Sequence, residues 1–230
     1  MPRSRLPSNW RLDPEVVRRA YDQGAAHLVE LARSGEPDRW GEPALGDWTR
    51  RDLLGHASRA LSTVGAYLDA AAEAEAEGGQ LDPLLVHPVD YYVGIMDRAG
   101  DTAALAERAR AAGRALGDDP PGAVAELAAT TLARVAATED AAVLVTPAGP
   151  MQLIEYLPTR IYELTLHGFD LATAFGRSAP ITGPTREDMG DALAVALLVA
   201  AGIVELRGDT ETALRALSGR GSLPPGFGSL

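Results

Sequence analysis

The sequence predicts an all-α protein of one sizeable domain with a short appendage, and three observations carry the prediction. Apolar residues recur at helical spacing through most of the chain, capping residues stand where those stripes begin, and only Val143-Leu144-Val145-Thr146 reads as a short strand. With 46% hydrophobic residues in a chain of 230, a core can form without staples. The absence of cysteine excludes disulfides and thiolate ligands, so any sulfur nucleophile must arrive with a substrate or cosubstrate.

Asp13 followed by Pro14 is a capping side chain and then a proline at N1, and the stripe Val16, Val17, Ala20, Tyr21, Leu28, Leu31 carries a first helix to about Arg33. Gly35, Pro37, Gly41, Pro43 and Gly46 predict a loop from Ser34 to Asp47. Thr49 then caps a second helix, with Asp52 at the capping-box position and Leu53, Leu54, Ala57, Leu61, Val64 and Leu68 as its apolar stripe; His56 projects near that stripe. Acids alternate with alanine from Glu73 to Glu77, where they oppose the macrodipole, so fraying is expected ahead of Gly78. Helical patterns resume over 90–99, 101–116 and 121–137, punctuated by Gly100 and by Asp118-Asp119-Pro120. After the strand, a helix from Gln152 to about Phe175 ends at Gly176 and contains Pro158, which predicts a kink one turn before Glu163. Helices over 185–206 and 210–217 precede a tail from Ser218 to Phe227. The apolar run Ala192–Val204 is too short to cross a bilayer and reads as a buried helix.

A net charge of −11 argues against a nucleic-acid surface, although a local basic pocket is compatible with it. All 21 basic residues are arginine, a pattern attributable to GC-rich codon usage. Arg3 and Arg5 are not followed by an apolar segment of the kind that exports a protein, so no membrane association and a cytoplasmic location are expected.

Within Arg160–Asp170, Glu163 and His167 stand four residues apart and share a helix face. His56, on another helix, could complete a His, Glu, His set whose mixed donors and open coordination suit Zn²⁺, with Ni²⁺, Co²⁺ or Fe²⁺ as alternatives. Spacing alone equally allows an ordinary helix contact and a satisfied core histidine. His27 and His87 lack ligand spacing and read as structural. Tyr91 and Tyr92 are consecutive, so at most one is expected to face the cleft.

Trp48-Thr49-Arg50-Arg51-Asp52-Leu53-Leu54-Gly55-His56 resembles the W-T-x-x-D-L-x-x-H element of the mycothiol-dependent maleylpyruvate isomerase family, within the DinB-like superfamily. Arg160–Ala174 resembles its R-x-x-E-x-x-x-H-G-x-D-L-A element, and the end from Leu214 to Phe227 is similar to the tail of many members. The resemblance implies a DinB-like four-helix bundle over 1–176, with additional short helices and a small C-terminal extension over 177–230 packed on it. It also implies metal ligation by His56, Glu163 and His167. Asp170 would be either a partner for a ligand imidazole or a surface cap, and Arg160 either a group that orients Glu163 or receives an anionic substrate, or half of an intrahelical ion pair.

The resemblance further implies mycothiol as a low-molecular-weight thiol cosubstrate. Its thiolate would add to an activated cis double bond and leave after rotation, or stay in the product of an S-transfer to a small electrophile. The isomerase carries a larger C-terminal domain than the roughly fifty residues after Gly176 here, so maleylpyruvate specificity does not carry over. Membership is compatible with a homodimer, although no helix stripe reads as left over. The rivals are a helical-bundle binding or regulatory protein, with or without metal, and a metal-activated hydrolase using Asp170 as base.

Overall fold

The computed structural model describes residues 11–96, 102–177 and 187–228. Helix α1 (Pro14–Arg33) starts where the Asp13 side chain accepts from the Glu15 amide at 2.8 Å. Helix α2 (Arg50–Ala76) starts at a full capping box: the Thr49 amide donates to Asp52 Oδ2 at 3.0 Å and the Asp52 amide to Thr49 Oγ1 at 3.2 Å. Helices α3 (Pro88–Met96), α4 (Thr102–Ala115) and α5 (Pro120–Ala136) follow, and then α6 (Leu153–Ala174), which Pro158 enters without ending. Helices α7 (Gly190–Leu206) and α8 (Thr210–Leu217) close the described chain. The expected helices over 90–99, 101–116 and 185–206 each extend into residues outside the described ones.

The protein is all-α. Its centre is a four-helix arrangement in which α6 packs on α1 and α2, and α5 packs on the same two from the opposite side. Tyr21, Leu28, Leu53, Leu61, Tyr156, Leu157 and Ile161 are fully buried between them. Each buried leucine or isoleucine contributes about 1.5–3 kcal/mol of transfer free energy. Outside this square, α4 lies along α2, α3 lies against α6, and α7 covers α1 and α6. The approach of α4 to α2 is set by glycine: a Cβ on Gly55 would collide with the backbone of Gly113, and Arg51 reinforces the crossing by donating from Nε to the Gly113 carbonyl at 2.8 Å.

Three local features differ from the sequence expectation. The stretch expected as loop before Trp48 contains a small antiparallel hairpin, β1 (Pro43–Leu45) with β2 (Trp48–Thr49), turned by Gly46 at φ 55°. The expected strand at 143–146 is β3 (Val143–Thr146), and it pairs with β4 (Gly149–Gln152), so the chain holds two hairpins among the described residues. The acid and alanine segment stays helical to Ala76, because alanine favours helix and Gly79 and Gly78 close the end by donating to the carbonyls of Ala74 and Glu75.

Helix α7 differs as well. Val195, Val199 and Ile203 are buried, whereas Leu197 is 64% exposed, so the run read as a buried helix shows one apolar face to solvent. A stripe is therefore left over where the sequence suggested none. No described helix is long and apolar enough to cross a membrane.

Candidate metal centre

His56 stands one turn beyond Asp52, so the capping box that starts α2 also fixes its rotational position. Its ring is flanked by Trp48 of the first hairpin, with centroids 4.7 Å apart, and by His167, with centroids 4.6 Å apart and planes at 80°. Lower in the bundle, Thr63 Oγ1 lies 3.1 Å from the Tyr156 hydroxyl, so α2 and α6 run antiparallel with His56 opposite Glu163 and His167. One donor atom from each of these three residues lies within 4.8 Å of the others. His167 Nε2 is 3.3 Å from Glu163 Oε2, and His167 Nδ1 is 3.0 Å from Asp170 Oδ2. The structure thus places Asp170 against the imidazole and not at a helix end.

The electrostatics of the three groups diverge. Burial, and then the charge of His167, push the His56 imidazole down to about 4, so it is neutral at ordinary pH, with its Nδ1 sealed and without a partner among the described residues. Burial alone would raise the Glu163 carboxyl, but the hydrogen bond from His167 and the nearby Arg160 guanidinium hold it well below the usual carboxylate range. Burial opposes protonation of His167, yet its hydrogen bonds to Asp170 and Glu163 lift it above the usual imidazole value. A neutral half-buried imidazole with a sealed nitrogen, an ionised carboxylate and a second imidazole whose far nitrogen is held by an acid are donors of the kind that suit a divalent cation with open coordination. The residues fit such an ion.

Arg160 does not make the intrahelical ion pair that its spacing allows. Its guanidinium instead lies over the rings of Tyr91 and Tyr156, 5.0 and 4.8 Å from their centroids, and Nε donates to Thr159 Oγ1 at 3.0 Å. The Tyr92 hydroxyl is 3.1 Å from both the Thr159 carbonyl and Glu163 Oε1. Burial first, and then Glu163, raise that phenol well above its usual value, so it remains a donor. It occupies one carboxylate oxygen and leaves Oε2 facing His167.

Both consecutive tyrosines therefore reach the site, against the expectation of at most one. The site extends along a full turn of α6, so two directions from α3 find two different residues, Arg160 and Glu163. Tyr156 had a readable signal, since 156, 160, 163 and 167 lie on one face of a helix. Tyr92 had none, because its partner is distant in sequence. His87 Nδ1 accepts from the Val89 amide at 3.2 Å at the start of α3, and His27 is packed against Gly168, so neither joins the cluster.

No curated protein and no solved structure matches the chain. A family model described as the mycothiol maleylpyruvate isomerase N-terminal domain does match, over residues 21–172, which include His56, Glu163, His167 and Asp170. That span is about two thirds of the sequence, and the chain belongs to this family.

Proposed function

We propose that the protein is a metal-dependent enzyme that uses a low-molecular-weight thiol of the mycothiol type, either to transfer it to small electrophiles or to isomerise a cis-enoyl acid. The observation that carries this reading is the convergence of His56, Glu163 and His167 within 4.8 Å in a member of a mycothiol-related family. His56, Glu163 and His167 would hold the ion, Zn²⁺ first by donor set and availability, with Ni²⁺, Co²⁺ or Fe²⁺ also compatible. A divalent cation there would lower the pKa of a thiol enough to keep it ionised near neutral pH.

The chain's own residues prepare that chemistry. Asp170 holds His167 Nδ1 and so fixes which nitrogen faces the site. Tyr92 holds one oxygen of Glu163 and presents the other. With no cysteine in the chain, no internal thiol competes for the position. As the thiolate sulfur bonds to the electrophilic carbon the carbon–carbon π bond opens and its electron pair passes to the conjugated carbonyl. The adduct then either gains a proton from solvent and is released, which is transfer, or rotates about the resulting single bond and expels the thiolate as the double bond re-forms, which is isomerisation.

The test is incubation of zinc-loaded protein with mycothiol and a panel of small electrophiles and cis-enoyl acids, following adducts and isomers by chromatography. Product formation should exceed that of a His56→Ala variant by about 100-fold or more, the scale of activating a nucleophile on a metal. Equal rates for the two proteins would sink the reading.

A further inference from the structure

Two of the three converging side chains are held by hydrogen bonds, and the third is held differently. Asp170 Oδ2 lies 3.0 Å from His167 Nδ1, and the Tyr92 hydroxyl donates to Glu163 Oε1 at 3.1 Å. His56 Nδ1 is sealed and has no hydrogen-bond partner among the described residues. An imidazole that serves as a ligand almost always has its other nitrogen held by an acceptor, so the His56 ring needs some other restraint. A ring left free to turn about its side-chain torsions would have to be ordered, at a cost in entropy, each time the site is filled.

Trp48 supplies one. Its indole lies 4.7 Å from the His56 ring, centroid to centroid, with the planes at 45°. Trp48 directly precedes the Thr49 cap of α2, a place from which an apolar side chain ordinarily packs on the fourth helical residue, here Leu53. Any apolar residue serves that purpose, whereas the indole reaches one turn further along the helix, to His56. The backbone that carries it is itself fixed. Trp48 pairs with Leu45 across the first hairpin, the Arg50 amide donates to the Glu42 carbonyl at 2.8 Å and the Arg51 amide to the Trp40 carbonyl at 3.1 Å, and the Arg50 guanidinium holds the Glu42 carboxylate at 2.8 Å. A half-buried ring on so restrained a segment is preorganised to orient a neighbour. An acid in the same role would bring a third carboxylate beside Glu163 and Asp170; an indole face orients the imidazole without one.

We propose that Trp48 is the positioning residue for His56: its indole face sets the plane of the imidazole toward Glu163 and His167, the task that Asp170 performs for His167 by a hydrogen bond. The hairpin of β1 and β2 is then a working part of the site, because it delivers the restraint that His56 lacks on its own helix. The inference deepens the proposed function and rests on that reading only where zinc is the probe. The orientation of the ring is a property of the metal-free protein.

The experiment compares Trp48→Leu, which keeps an apolar side chain at the start of α2, with Trp48→Phe, which keeps an aromatic face, in the full-length protein. In the metal-free form the His56 ring-proton resonance, assigned by its loss in His56→Ala, should shift in Trp48→Leu by more than those of His27 and His87. Zinc affinity should fall about ten-fold in Trp48→Leu and stay within about three-fold in Trp48→Phe. Leu45→Ala, on the facing strand of the same hairpin, should leave zinc affinity within about two-fold. Trp48→Leu added to His56→Ala should cost no further affinity, because the residue it acts through is already gone. Circular dichroism identifies any variant that has not folded, and Trp48→Met, a second non-aromatic replacement, takes the place of Trp48→Leu if that one fails. Undiminished zinc affinity in the non-aromatic variant, an equal loss in Trp48→Phe, or the same ten-fold loss on top of His56→Ala overturns the positioning role. Absence of zinc binding by the unaltered protein removes the proposed function instead. In that case a His56 resonance that shifts in Trp48→Leu leaves Trp48 as the holder of the ring, and one that stays in place overturns it.

Discussion

His27 is buried and His56 half-buried with its Nδ1 sealed; both stand on helices of the central square, both are pushed toward the neutral form by desolvation, and both have a ring nitrogen without a partner among the described residues. They differ in what α6 presents to them. His56 meets Glu163 and His167, whereas His27 packs its ring edge 3.3 Å from where a Cβ on Gly168 would stand. His167 and Gly168 are adjacent, and one residue's step along a helix turns the side-chain direction by about 100°. A candidate ligand set and a packing contact are thus separated by a single helical step, and desolvation or an orphaned nitrogen alone does not distinguish them.

Substitution at the two histidines should give the largest contrast. His56→Ala is expected to reduce zinc affinity by about 100-fold or more, while His27→Leu leaves it within about two-fold and changes stability by less than about 1.5 kcal/mol. Equilibrium zinc titration and thermal unfolding read both; an equal loss of zinc affinity in the two variants would break the contrast. The residues that hold the candidate ligands come next. Asp170→Asn should cost about 10- to 100-fold in zinc affinity, because the amide no longer holds the His167 proton as a charged partner. Tyr92→Phe should cost less than Asp170→Asn, since it frees one oxygen of an already ionised Glu163.

The smallest effect is in protons. His167 in the metal-free protein titrates at about 9, so zinc binding at pH 7 should release about one proton, visible as a dependence of binding heat on buffer ionisation enthalpy. For the metal-free protein, the raised His167 value contributes stability that is complete below its unfolded value near 6.5 and is lost as pH rises through about 9. The depressed Glu163 value contributes stability that is complete above its unfolded value near 4.3 and is lost as pH falls through the folded one. Denaturant midpoints of metal-free protein should therefore fall from pH 6.5 to pH 9. His27, which lacks both acids, adds no such dependence in that range.

Much of this was legible before the fold was known. Asp13-Pro14 and the Thr49, Asp52 pair announced two of the central helices, and 160, 163 and 167 announced a face of a third. What escaped the sequence was whatever depends on a distant partner. The hairpin at 43–49 read as loop because proline and glycine mark breaks without saying whether the flanks pair, and it is the hairpin that delivers Trp48 to His56. The exposed side of α7 read as buried because an apolar run has no periodicity to reveal that α1 and α6 cover one face. Tyr92 reached Glu163 across 71 residues, a distance over which no local pattern carries information.

The crossing of α2 and α4 at Gly55 and Gly113 has a consequence for how this site can diversify. Gly55 precedes His56 by one position, and Gly113 lies on the facing helix α4. Adding a single methyl at either glycine would wedge the two helices apart beside His56 and shift it relative to Glu163 and His167 without changing a charge. The spacing of the three converging side chains is therefore adjustable from two positions that have no side chain.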